Sequence, residues 1–298
     1  MPTTHWSDSD LPNLQGRTVI VTGANSGIGR AAAFALARAG ASVTLAVRDT
    51  AKGDAAASTM TGHVFVRLLD LADLGSVRSF VEGTEEPFDI LIDNAGVMAV
   101  PEQRTVDGFE MQIGTNHLGH FALTNLLLPL ISDRIVVVSS ELHRRGRIDL
   151  DDLNWEKRSY KAWDAYSQSK LANLLFVLEL ERRLSDCGSR VRAVAVHPGY
   201  AATNLQSHTG RAAISTVTAV GNRLLAQKDT MGALPTLYGA TADIPGGSYI
   251  GPDGFRHMRG YPTFGVPSKR ALDVSMAARL WDLSERLTGI SWSLGPAN

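Results

Sequence analysis

Residues 17–39 constrain the fold more than any other stretch of this chain. Arg17-Thr18-Val19-Ile20-Val21-Thr22 is a short apolar run with β-branched residues, which reads as a buried strand. Gly23-Ala24-Asn25-Ser26-Gly27-Ile28-Gly29 follows, and then an alanine-rich helical run from Arg30 to Ala39. Strand, glycine turn and helix in this order make the nucleotide-binding half of a βαβ unit. Gly23 permits the tight turn, Gly27 lets the backbone approach a pyrophosphate, and Gly29 lets helix and strand pack closely. The helix N-terminus, with Asn25, Ser26 and Ile28 in the loop, presents unpaired amides to phosphate. The first two glycines are one residue further apart than in the usual dinucleotide fingerprint. The alternative is a glycine loop that binds nothing, and the flanking strand and helix weigh against it.

The rest of the chain repeats the alternation. Strand candidates are Val19–Val21, Val43–Val47, Val64–Leu68, Ile90–Ile92, Ile135–Val138 and Val191–Val196, with a final edge strand near 246–252. Helical stretches at 31–39, 74–82, 118–131 and 165–184 separate them. This pattern argues for a parallel sheet with helices on both faces. Residues 271–287 read as a last amphipathic helix, with Leu272, Met276, Leu280, Leu283 and Leu287 at helical spacing.

One pair implies a reaction. Tyr166 and Lys170 lie four apart in a helical stretch and so stand one above the other on one face. A lysine ammonium beside a phenol favours the phenolate, which would make tyrosine a better proton carrier at neutral pH. Alone, the spacing is usually that of an ordinary surface pair, since i,i+4 pairs are common on helices.

Composition narrows the function. With 298 residues and 44% apolar content the chain can bury one large core. A net charge of -1 without a basic stripe argues against nucleic-acid binding. The single cysteine, Cys187, fits a reducing compartment. Residues 1–15 lack the apolar stretch of a signal peptide, and no apolar run reaches the ~18 residues of a membrane span. A cytoplasmic location is therefore expected, with no metal site.

Taken in order, the motifs resemble those of the short-chain dehydrogenase/reductase family over nearly the whole chain. Thr22-Gly23, Gly27-Ile28-Gly29 and the Tyr166/Lys170 pair match first. Asp70-Leu71, after the third strand, matches the family's adenine contact. Asp93-Asn94-Ala95-Gly96 resembles an Asn-Asn-Ala-Gly element with Asp93 in place of the first Asn, which touches only a local strand-end hydrogen bond. Asn116 matches an active-site Asn, Ser140 the catalytic serine, and Pro198-Gly199 the turn beside the nicotinamide. The segment Asp151-Asp152-Leu153-Asn154-Trp155 running into Tyr160 resembles the retinol dehydrogenase and protochlorophyllide reductase branch.

The resemblance implies a single doubly wound Rossmann-fold domain over 1–298, with about seven strands and a substrate lid at about 201–262. It implies hydride exchange between a nicotinamide and an apolar or amphipathic carbonyl or alcohol. Tyr166 would be the acid/base, Lys170 would lower its pKa and bond the ribose, and Ser140 would hold the substrate oxygen. Asn116 would hold a water joining Lys170 to solvent, Thr203 would meet the nicotinamide amide, and Arg144 or Arg145 is a candidate for the substrate. Arg48, closing the second strand, favours the 2′-phosphate of NADP(H), with Asp49 capping the next helix; NAD(H) is the alternative. A sugar-nucleotide epimerase or dehydratase and a non-catalytic dinucleotide sensor compete with the oxidoreductase. A homo-oligomer is left open.

Overall fold

The computed structural model describes residues 5–199 and 229–294. Seven strands run parallel: β1 (Thr18–Thr22), β2 (Ser42–Val47), β3 (Val64–Leu68), β4 (Phe88–Asp93), β5 (Ile131–Val138), β6 (Arg192–Val196) and β7 (Tyr249–Pro252). An eighth, β8 (Pro262–Phe264), adds antiparallel to β7, and the order across the sheet is β3-β2-β1-β4-β5-β6-β7-β8. The sequence pattern misses β8 because three residues give no readable alternation.

Burial on both faces explains why the central strands are uniformly apolar. Val19, Ile20 and Val21 are all buried, as parallel strands covered by helices on each side must be. One face carries α1 (Gly27–Arg38), α2 (Thr50–Ala57) and α7 (Asp229–Thr241). The other carries α3 (Leu74–Glu82), α5 (Gly119–Leu127), α6 (Ala162–Asp186) and α8 (Val274–Thr288), with the short α4 (Met111–Ile113) leading into α5. Asp73 caps α3 by accepting from the amides of Gly75 and Ser76, and Leu74, Val77 and Phe80 make its buried stripe. Asp273 caps α8, which ends at Gly289 with a φ of 66°. Its buried face is Ala277, Leu280, Trp281, Ser284 and Thr288, while Leu272 lies ahead of the helix and is exposed. Met276, Leu283 and Leu287 of the expected stripe pack beside that face, partly buried, and the indole of Trp281 adds to it by packing against Phe121 and Phe176.

Part of the expected lid is framework. Residues 200–228, Thr203 among them, lie outside the described residues. From 229 onward the chain is scaffold: Ala233, Leu234 and Leu237 of α7 are buried against the sheet. The buried Arg134 on β5 donates to the carbonyls of Gly239 and Ala242, meeting two of the acceptors a helix C-terminus leaves unpaired.

The chain order reverses between β1 and β4, so a crevice opens beyond their C-terminal ends. In doubly wound sheets ligands bind at such a switch point. The glycine turn after Thr22 and the Asn94-Ala95-Gly96 segment both lie there.

Candidate active site

The crevice is built by matching two strand ends. The hydroxyl of Thr22 accepts the amides of Asn94 and Ala95, each at 2.9 Å, and Asn94 Nδ2 donates to the Thr22 carbonyl at 2.8 Å. This brings residues 94–95 so near the turn that side chains there are excluded. A Cβ on Gly23 would lie 2.9 Å from Ala95 Cα, and one on Gly29 would lie 2.3 Å from Asn94 Nδ2. Gly23 and Gly27 also have φ of 66° and 57°, which L side chains resist. No side chain caps α1, since Ser26 makes no capping bond, so the first-turn amides face the crevice. A backbone cradle without Cβ atoms, closed by an uncapped helix N-terminus, fits a dinucleotide pyrophosphate.

The neighbouring strand ends extend the cradle. Asp70 Oδ1 accepts the Ala72 amide and the Asp70 amide donates to Ser76 Oγ, which fixes the turn after β3. Leu71 is buried, its carbonyl against Gly119. Arg48 is exposed and makes no side-chain contact among the described residues. Asp49 is engaged: it accepts the Lys52 amide as the cap of α2 and pairs with Lys52 Nζ at 2.9 Å. At the other end of the crevice Gly199 has a φ of 71°, and a Cβ there would meet the Met258 carbonyl at 2.5 Å.

Four side chains converge beyond β4 and β5. Ser140 caps the turn Glu141–Arg145, accepting the Leu142 amide at 3.2 Å, and its hydroxyl is near enough to the Tyr166 phenol to favour the ionised form. Lys170, on the same face of α6, is buried and donates to the Val138 carbonyl at 2.9 Å. A Cβ on Gly96 would lie 3.1 Å from Asn116 Oδ1 and 3.6 Å from Lys170 Nζ, so Gly96 leaves room for both.

Asn116 sits in a π turn, Gly114–Leu118, in which the Gly119 amide reaches back to the Gly114 carbonyl. Its Oδ1 accepts the Val97 amide at 2.8 Å, and its Nδ2 donates to the Val97 carbonyl and to Ser169 Oγ, both at 2.9 Å. The side chain is thus committed to tying the strand end to α6.

The electrostatics correct one expectation. Burial pushes the Tyr166 phenol up to about 12, and the opposing pull comes from the nearby Ser140 hydroxyl. Burial also pushes Lys170 down to about 8. Lys170 Nζ stands 5.8 Å from the Tyr166 ring centre and points at a carbonyl, so the lysine does not turn the phenol into a phenolate here. At neutral pH the pair is a protonated tyrosine beside a largely charged lysine.

Several residues that shape the site are not legible as motifs. Trp163 is half exposed and stands edge-on to Tyr166 at 6.4 Å, an apolar wall beside the phenol; its place three residues before Tyr166 is the available signal. Asp93 does more than end a strand. Its carboxyl is fully buried, accepts from Thr124 Oγ1 at 2.8 Å, and is raised by burial to about 8. Arg144 bonds Glu141 and the Val266 carbonyl. Arg145 lines a separate surface cleft of about 420 Å³ with Arg147 and Lys161, and neither Ser140 nor Tyr166 lines it. Among the described residues, no cluster of His, Cys, Asp or Glu could hold a metal ion, and no helix is long and apolar enough to cross a membrane.

A glycine cradle at the switch point, with Ser140, Tyr166 and Lys170 beyond it, defines a class. The family model described as short chain dehydrogenase matches residues 17–213, and the chain belongs to that family, in its retinol dehydrogenase-like branch. Human retinol dehydrogenase 13 is 46% identical over 93% of this chain and 86% of its own length. Human retinol dehydrogenase 14 is 41% identical over 93% of this chain and 88% of its own. A crystal structure of an uncharacterized protein from Mycobacterium Paratuberculosis superposes with a TM-score of 0.87 at 54% identity, covering 98% of this chain and 100% of that one.

Proposed function

We propose that the protein is an NADP(H)-dependent oxidoreductase acting on an apolar or amphipathic carbonyl or alcohol, with Tyr166 as acid/base. The observation that carries this reading is the gathering of Ser140, Tyr166 and Lys170 beyond the glycine cradle, with Lys170 Nζ and Asn116 both against Gly96 and Ser140 close enough to act on the Tyr166 phenol. A sensor without catalysis has no use for that grouping.

The cradle at Gly23, Asn25, Ser26, Gly27, Ile28 and Gly29 would hold the pyrophosphate. Asp70 and Leu71 would meet the adenine, and Asn94, Ala95, Gly96, Pro198 and Gly199 would line the path to the nicotinamide. The nicotinamide supplies the hydride. Ser140 donates to the substrate oxygen, where negative charge develops in reduction. Tyr166, a protonated phenol at neutral pH, gives its proton to that oxygen. Lys170, with Nζ 5.8 Å from the Tyr166 ring centre, is the nearby cation that would face the charge left on the phenol. Trp163 offers an apolar wall to the substrate. The relatives named retinol dehydrogenase support a long apolar substrate.

Arg48 carries the cofactor preference. It is exposed at the end of β2 without a partner among the described residues, while Asp49 is occupied by α2. A free guanidinium suits a 2′-phosphate bidentately. The test is consumption of NADPH and of NADH by purified protein with retinaldehyde and a panel of apolar ketones and aldehydes. Turnover favouring NADPH is expected, and failure with every carbonyl compound would overturn the reading.

A further inference from the structure

His120 is buried beneath the glycine turn at the start of α5, and no step above uses it. Its Nε2 lies 2.9 Å from Thr22 Oγ1, and its Nδ1 lies 3.1 Å from the Asn116 carbonyl oxygen. One imidazole therefore touches both the strand that enters the dinucleotide cradle and the residue of the π turn beside Lys170.

Counting hydrogens fixes which nitrogen carries the proton. A threonine hydroxyl has one hydrogen to give and two lone pairs to accept with. Thr22 Oγ1 already accepts two amides, from Asn94 and Ala95. Its hydrogen is left for His120 Nε2 at 2.9 Å or the Ile92 carbonyl at 3.3 Å, and the shorter contact is to histidine. Nε2 is then bare, and Nδ1–H donates to the Asn116 carbonyl. The other tautomer would ask Thr22 Oγ1 to accept a third bond and would set a bare Nδ1 against a carbonyl. Burial, with the Lys170 charge adding to it, pushes the imidazole down to about 3 and keeps it neutral. Asp93 Oδ1 stands 4.0 Å from Nε2, beyond hydrogen-bond reach.

We propose that His120 is a positioning residue: as the Nδ1–H tautomer it holds the Asn116 carbonyl in the π turn and references it to Thr22 at the base of the cradle. The inference rests on the oxidoreductase reading for its kinetic consequence, because the π turn sets Asn116 beside Lys170 at Gly96. Its structural content stands independently.

Two measurements test it. Histidine-selective ¹⁵N NMR of the unmodified protein, with the His120 signal assigned by its loss in His120→Asn, reads the tautomer directly. A protonated Nδ1 and bare Nε2 through the neutral range are expected, and a protonated Nε2 would overturn the proposal. The second uses kinetics with NADPH and retinaldehyde, beside NADPH affinity by fluorescence titration. His120→Asn sets an amide near Nδ1 and keeps the donor to Asn116, whereas His120→Gln sets it near Nε2 and keeps only the Thr22 contact. The Gln variant should lose about tenfold or more in kcat and the Asn variant about threefold or less, since small displacements of a reacting group cost rates of this size. NADPH affinity should stay within about threefold in both, as neither touches the cradle amides. Equal kcat in the two variants, or kcat and NADPH affinity falling together, would contradict a positioning role. Lack of any turnover by the unmodified protein would count against the oxidoreductase reading, with the tautomer still deciding this one.

Discussion

Asn94 Nδ2 occupies the space that a side chain on Gly29 would need, 2.3 Å from where its Cβ would be. The same amide donates to the Thr22 carbonyl, so the end of β4, the end of β1 and the first turn of α1 form one close-packed joint. The glycine is required less by its own backbone than by what β4 places beside it.

Gly29→Ala should therefore push Asn94 off Thr22 and open the cradle. The expected result is at least about tenfold weaker NADPH binding with a loss of about 1–3 kcal/mol in stability, as for overpacked sites. Fluorescence titration and thermal unfolding check the two parts.

Arg48→Ala removes the exposed guanidinium at the end of β2 and leaves the Asp49 cap of α2 in place. NADPH binding should weaken by about tenfold or more while NADH binding changes little, the cost of about 1.5–3 kcal/mol for a charge-assisted bond. Equal loss for both cofactors, measured by parallel titrations, would place Arg48 outside the site.

Asp93 gives a pH-dependent outcome. Its carboxyl is raised from 3.8 to about 8 in the folded protein, so the folded state holds the proton more tightly than the unfolded one. This contribution to stability is fully present below about pH 4 and is lost as pH rises toward 8. Asp93→Asn keeps an acceptor for Thr124 and removes the titration. It should stabilise the protein more at pH 8 than at pH 5, by about 1–4 kcal/mol, since each pKa unit is worth about 1.4 kcal/mol. Denaturant unfolding at the two pH values reads the difference.

The fold was legible because parallel strands buried on both faces must be apolar runs, and the helices between them cover those faces. Glycine spacing located the cradle, and Asp49 was read as the cap of α2. What escaped depended on neighbours distant in sequence. Trp281 of α8 joins the core beside the leucine stripe because Phe121 and Phe176 stand against it. Asp93 looked like a neutral exchange because its burial is set by α5, whose Thr124 reaches it. How Lys170 bears on Tyr166 was not legible from spacing, since i,i+4 proximity says nothing about how deeply both groups are buried.

Lys170 should set the alkaline limb of reduction. Burial lowers it to about 8 in the free protein, so the ammonium is present below that pH and lost above it. kcat/KM, which reports the free enzyme, should hold steady below about pH 8 and fall above it through one ionisation. In Lys170→Ala the residual rate should show no such limb.

The central claim is that Tyr166 transfers the proton. Tyr166→Phe removes one hydroxyl and leaves the ring, the cradle and Lys170 in place. Single-turnover reduction of retinaldehyde by NADPH, measured with the NADPH affinity of the same protein, tests it most directly. Affinity within about threefold of the unmodified protein, with a rate lower by about 10² or more, is expected for loss of a general acid. Retained turnover in Tyr166→Phe would contradict the account.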